Sequence, residues 1–341
     1  MAGDGSVRIL LGLCAAILVA GALHLAQSIL APIAFALFAI ALAWPLQSGL
    51  LRARVPAVLA LLVTVAATLV VLVLLALAAG WGFGRVARWV IANAGLLQVL
   101  YAQKVEWLEA QGIAVAGLVQ FDSRWLVRVA QAVLSQLQGV IGFLGVTLVF
   151  VILGLLEVGV AARQLVRIGQ DRPAATGLLR ACIETGAKLR AYMLVRTVMS
   201  IATGLAVFAF ARAMGLDLAM EWGVIAFVLN YVPFIGSLLA TLFPTVFAVL
   251  QFGTWQAALM VFLALQAIQF LSGSTIEPRL AGARLAMSPF LVLVAVFLGA
   301  FLWGIPGAFI GVPAMIAALT LCDQFPGSRW VAQLLSGKEP T

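Results

Sequence analysis

Residues 222–251 read WGVIAFVLNYVPFIGSLLATLFPTVFAVLQ. The stretch carries no charge, and its 30 residues overrun the roughly 20 that an apolar helix needs to cross a bilayer core. Its centre, Tyr231-Val232-Pro233-Phe234-Ile235-Gly236, interrupts any helix, because proline brings no amide hydrogen and glycine no Cβ. Length and break together predict two half-helices joined by a tip. A second stretch, 288–321, repeats the design with its break at Trp303-Gly304-Ile305-Pro306-Gly307. Main chain opened at membrane depth must be covered by protein or face a wet cavity, since hydrocarbon offers it no hydrogen bonds. A single long kinked helix is the competing reading of each stretch.

Composition agrees that lipid is the solvent. Of 341 residues, 65% are hydrophobic and 9% charged, against roughly 45–50% and about 25% in soluble proteins. Mean hydropathy is +1.17, and no water-soluble globule hides that much apolar surface. A secreted disulfide scaffold, a disordered chain and a cytosolic enzyme are thereby excluded. Cys14, Cys182 and Cys322 lie far apart, with neither metal nor disulfide spacing. The net charge of +8 is read as cationic cytoplasmic loops and not as a nucleic-acid surface.

The expected fold is all-α and polytopic, with about six full transmembrane helices at 9–26, 29–50, 56–81, 139–160, 192–213 and 255–272. Pro56 opens the third, where no amide donor is missed. Arg8 and the run at 9–26 imitate a signal peptide, but the residues around His24 make a poor cleavage site, so the segment is kept as a first span. The two broken stretches become re-entrant hairpins, for eight membrane segments in all. Placing 14 of the 20 basic residues on one side makes that side cytoplasmic, together with both termini. The C-terminal half then reads as span plus hairpin, twice, in opposite orientations. Such inverted repeats with interrupted helices point to a transport site near the midplane. The expected divisions are three N-terminal helices (1–81), an extracytoplasmic amphipathic region (82–138), a fourth helix with its basic linker (139–191), a transport module (192–321) and a tail (322–341).

Residues 82–138 hold charges at helical apolar spacing, and a break at Gly112–Gly117 divides them into two amphipathic helices. These would lie on the membrane surface or pack against other copies of the chain.

Groups able to do covalent chemistry are scarce. The one histidine, His24, sits at the end of the first span and is read as interfacial. No phosphate-binding loop of the Gly-Lys-Ser/Thr type occurs, so uphill movement would need an ion gradient. No catalytic residue, cofactor or metal site is expected. The candidate path residues are polar groups and tip residues at membrane depth: Asn230, Pro233, Gly236 and Ser237 at the first tip, and Gly304, Pro306 and Gly307 at the second. Gln266 and Gln269 are either helix-to-helix glue or substrate contacts. Arg196 either reaches back to the cytoplasmic interface or holds an anion. Glu277 either pairs with Arg279 or Arg284 or couples transport to an ion.

Three ordered motifs give the chain a resemblance. Leu229-Asn230-Tyr231-Val232-Pro233-Phe234-Ile235-Gly236 resembles a signature of the autoinducer-2 exporter family of bacterial membrane proteins. Glu277-Pro278-Arg279-Leu280, with Gly282, Leu285 and Ser288-Pro289, is similar to its second motif. Gly304-Ile305-Pro306-Gly307 through Val312-Pro313 is similar to its closing motif, with Pro306 a departure, as is Leu285-Ala286-Met287 upstream. Arg190-Ala191-Tyr192 falls where members carry a comparable entry to the fifth span. The resemblance implies an inner-membrane transporter of a small molecule such as autoinducer-2, with sodium/proton exchange described for other members. It also implies membrane lipid as partner and a homo-oligomer, pentamers among them. Proline and glycine would let the two tips unwind around the solute, and the hairpins would move against the first four spans.

Overall fold

The computed structural model describes residues 3–95, 98–99, 102–103, 105–106, 123–276 and 287–335, and among them it contains helices and no strand. The helices are α1 (Gly3–Leu25), α2 (Gln27–Arg52), α3 (Ala57–Ala92), α4 (Ser123–Gly169), α5 (Pro173–Ala213), α6 (Ala219–Leu229), α7 (Ile235–Phe252), α8 (Trp255–Phe270), α9 (Pro289–Gln324) and α10 (Arg329–Leu335). A π-helical turn, Leu271–Ile276, follows α8. Among the described residues, seven helices are long and apolar enough to cross a membrane. Large apolar side chains such as Leu18, Leu77, Ile141 and Phe301 stand exposed. That pattern suits a chain whose surroundings are lipid.

Each expected span falls on a helix, but three helices run further. The 36 residues of α3 and the 47 of α4 would measure about 54 and 70 Å at 1.5 Å per residue. Residues 82–92 therefore continue α3 and 123–138 continue α4, where separate amphipathic helices were expected. Apolar spacing explains the first extension, because Phe83, Val86 and Trp89 pack on a buried core. The expected break at Gly112–Gly117 lies outside the described residues.

The chain divides into two units. The first comprises Met1–Leu69, Phe143–Met193 and Gly282–Thr341. Ala36, Ala39 and Ile40 of α2 meet Val151 and Leu155 of α4 in its core. Gly154 belongs there because an added Cβ would collide with Ile40. Phe35 meets Phe143 edge to face and Phe309 at a tilt, with ring centroids 5.5 Å apart in each pair. Pro45 lies inside α2 and leaves the carbonyl of Ala41, one turn back, without its helical donor. Arg190 of α5 supplies one, Nη1 to O at 2.9 Å. On α5 and α9, Glu184 pairs with Lys188 at 2.7 Å and accepts from Gln324 at 2.9 Å.

The second hairpin also lies in this unit. The backbone of α9 leaves helical values at Trp303 (φ −135°, ψ 18°) and Gly304 (φ 64°, ψ −140°). A Cβ on Gly307 would collide with the carbonyl of Gly299, and one on Gly311 with that of Ala295. In a continuous helix these pairs would stand about 12 and 24 Å apart. The chain must double back. The two legs are antiparallel and touch backbone to backbone along a seam of small residues, so the long kinked helix is ruled out.

The second unit comprises Val70–Gly142 and Leu194–Ala281. Its core joins Val207 and Ala211 of α5, Trp222, Ile225 and Ala226 of α6, Ala240, Phe247 and Ala248 of α7, and Val261 and Leu265 of α8. Here α6 and α7 form the first hairpin. Trp222 lies 5.3 Å from Phe247 between ring centroids. At the open end Gln251 accepts from the Asp217 amide at 2.8 Å and donates to the Gly215 carbonyl at 2.9 Å. Gly204 of α5 and Gly223 of α6 let those helices approach closely, since a Cβ on Gly204 would sit 2.8 Å from the Gly223 carbonyl oxygen.

Candidate functional site

The first tip is built by its own sequence. Asn230 ends α6 in helical conformation (φ −63°, ψ −14°), and Pro233 then forbids continuation. The Ile235 amide donates to the Pro233 carbonyl at 2.7 Å, closing a γ-turn around Phe234, whose φ of 61° and ψ of −59° place it in a rarely occupied region. A non-glycine residue held this way costs about 1–3 kcal/mol. Such strain persists only where surrounding contacts impose it, and here they do. Asn230 Nδ2 donates to Ser200 Oγ of α5 at 3.3 Å, and Tyr231 OH donates to Thr197 Oγ1 at 3.2 Å. Gly236 is required because a Cβ would collide with the Leu229 carbonyl. Ser237 turns inward on its own loop, donating to the Phe234 carbonyl at 3.0 Å.

Several polar side chains of this unit are buried. Ser200 fixes the level of the tip on α5, with Arg196 a turn before it and Thr203 a turn after; all three are buried. The short Gly253-Thr254 link returns the chain from α7 into α8, which brings Gln269 to the tip half of α7, where Thr241 lies. Thr241, Gln269 and Ser272 are buried as well. Thr203 Oγ1, Thr241 Oγ1 and Gln269 Nε2 find no hydrogen-bond partner among the described residues. Leaving such a group dry and unpaired costs about 1–3 kcal/mol. The π-helical turn starts two residues after Gln269 and contains Ser272, and π-turns interrupt the regular ladder most often at functional positions.

The expected site residues divide as follows. Asn230, Pro233, Gly236, Arg196 and Gln269 are buried in the second unit, and Ser237 is half-buried. Gln266 is exposed, so the two glutamines point differently although three residues apart. Gly304 is exposed, Pro306 half-buried and Gly307 buried, all in the first unit. Glu277 and Arg279 lie outside the described residues. Sequence reasoning missed Glu221, a buried carboxylate in the first turn of α6 that pairs with Arg85 of α3 at 3.0 Å. Its signal was an acid at the mouth of an otherwise uncharged stretch. His24 was placed as interfacial, and it is exposed. It also contacts the second hairpin: Nδ1 lies 3.0 Å from the Leu302 carbonyl oxygen.

A chain whose described residues form apolar helices of membrane length, two hairpins and several buried polar side chains fits the class of multi-pass membrane transporters. Residues 13–327 match the model of the AI-2E family transporters, and the chain belongs to that family. It is 28% identical over 333 residues to the AI-2 transport protein TqsA of Escherichia coli K12, covering 97% of this chain and 95% of that protein. It is also 26% identical over 350 residues to a putative transport protein of Haemophilus influenzae, covering 97% of each. With the putative transport protein YhhT of Escherichia coli K12 it shares 25% identity over 338 residues, 98% of this chain and 95% of that one.

Proposed function

We propose that this chain moves a small polar solute across a bacterial inner membrane by alternating access, with autoinducer-2 as the first solute to test. The observation that carries the reading is the set of buried polar side chains of the second unit. Three polar atoms, on α5, α7 and α8, are buried without a hydrogen-bond partner among the described residues, and a hydrogen-bonding solute would satisfy them. TqsA, similar over nearly the whole chain, is named for AI-2 transport. Asn230, Gln269, Thr203 and Thr241 would contact the solute, with Pro233, Gly236 and Ser237 shaping the first gate. Gly304, Pro306 and Gly307 would shape the second, in a re-entrant hairpin. Gln266 would join the path only on rotation of α8. Arg196, Glu277 and Arg279 are the candidates for coupling transport to an ion. Both termini would be cytoplasmic and the working form a homo-oligomer.

The test is flux in proteoliposomes against autoinducer-2, sodium and proton. Asn230→Ala should reduce autoinducer-2 flux by about tenfold, the equivalent of one substrate hydrogen bond. Sodium–proton exchange without autoinducer-2 flux would replace the proposed solute with a cation. No flux of any of the three would remove the reading.

A further inference from the structure

Pro306 has no amide hydrogen, so the carbonyl of Leu302, four residues earlier, loses its helical donor. His24 of α1 stands in its place, with Nδ1 at 3.0 Å from that oxygen. A carbonyl oxygen only accepts, so Nδ1 must carry the proton. The same contact is made in reverse one residue along each chain segment. Trp303 Nε1 donates to the carbonyl of Leu23 at 3.1 Å, which lies in the last turn of α1, where helical donors run out. The His24 ring stacks on Phe301, with centroids 5.7 Å apart and planes 19° apart. Four consecutive residues of α9, Phe301 to Gly304, thus contain the ring stack, both hydrogen bonds and both non-helical backbone positions. Helix α1 packs against α2 and α9, and neither 9–51 nor 285–322 contains a charged residue.

We propose that His24 is the positioning residue of the second hairpin: its Nδ1–H holds the Leu302 carbonyl that Pro306 strands, and this bond keeps the tip against α1. That the tip opens during transport rests on the reading given above; the bond itself does not. A neutral imidazole must select the Nδ1–H tautomer to make the bond.

Because the chain has a single histidine, 15N-histidine labelling of the full chain in lipid nanodiscs gives one pair of ring signals. The neutral ring is expected to carry its proton on Nδ1; an Nε2–H ring or a freely exchanging mixture overturns the proposal. The positioning role is read from the modification rate of a thiol at Ile305→Cys, with the three native cysteines replaced by alanine. His24→Phe keeps a ring against Phe301 but has no donor, and should raise that rate roughly fivefold, the ratio matching one ordinary hydrogen bond. His24→Asn places an amide N–H where Nδ1 was, and should restore the slow rate. An unchanged rate in His24→Phe overturns the role. Trp303→Phe, which deletes the reverse bond, should raise the rate as well, so the proposal does not depend on His24→Phe folding. If the tautomer is Nδ1–H but no solute crosses, the transport reading fails and the bond stands.

Discussion

Gln269 and Gly236 show what single residues do at this tip. Gln269 carries an amide nitrogen into the second unit without a partner among the described residues, so Gln269→Leu separates two roles. A solute-binding amide is a structural burden: the substitution should raise Tm by a few degrees, from about 1 kcal/mol of relieved desolvation, while flux falls about tenfold. If the amide is helix-to-helix glue, Tm falls instead, as a thermal melt in detergent would show. Gly236→Ala drives a Cβ into the Leu229 carbonyl and should destabilise by about 1–3 kcal/mol or more. Ser237→Ala removes only a local bond to Phe234 and should stay within about 1 kcal/mol. Asn230, Pro233 and Gly236 were legible in the sequence because each is a conspicuous exception within an apolar run. Thr203 and Thr241 were not, because threonine at such depth ordinarily bonds its own helix. Only burial without a partner marks them.

At the scale of elements, proline and glycine revealed where the helices break but not where the legs go afterwards. For 288–321 the kinked rod and the hairpin share one sequence pattern. The backbone contacts between Gly299 and Gly307 and between Ala295 and Gly311 decide between them. Those pairs are mirror-spaced about residue 303, a regularity that acquires meaning only once reversal is known. Two alanine substitutions separate crowding from conformation. Gly307→Ala meets the Gly299 carbonyl and should prevent the legs from closing, giving a loss of folded, monodisperse protein on size exclusion. Gly304→Ala meets nothing within 4 Å but must hold φ at 64° with ψ at −140°, backbone that L side chains rarely adopt, and should cost about 1–3 kcal/mol. Equal effects of the two would contradict the seam. The first hairpin is fastened at its other end by Glu221 and Arg85. Arg85→Ala leaves that buried carboxylate alone and should destabilise by up to about 3 kcal/mol. Most of the loss should be recovered in Arg85→Ala/Glu221→Gln, as denaturation of the two variants would report.

For the molecule as a whole, composition was enough to identify lipid as the solvent, because 65% apolar residues leave no other way to bury the chain. The division into two units was not legible. It follows from contacts such as Arg85 with Glu221 and Arg190 with Ala41, which join segments more than a hundred residues apart. No local pattern encodes such pairs. The expected transport module at 192–321 accordingly spreads over both units, one hairpin in each. Orientation remains a matter of charge: the turn between α4 and α5, with Arg163, Arg167 and Arg172 around Asp171, should face the cytoplasm. A thiol at Asp171→Cys, with the native cysteines removed, should react with an impermeant reagent in inside-out vesicles and not in intact cells. Labelling of intact cells would invert the topology.

Pro45 and Arg190 lie 145 positions apart, yet the arginine donates to the Ala41 carbonyl whose helical donor the proline removes. A defect caused by Arg190→Leu should therefore be suppressed by Pro45→Ala, which returns the missing amide to α2. Selection for growth or yield would recover that second-site revertant in preference to changes nearer the lesion. The same bookkeeping links Pro306 with His24, so these prolines set which distant residues are free to drift.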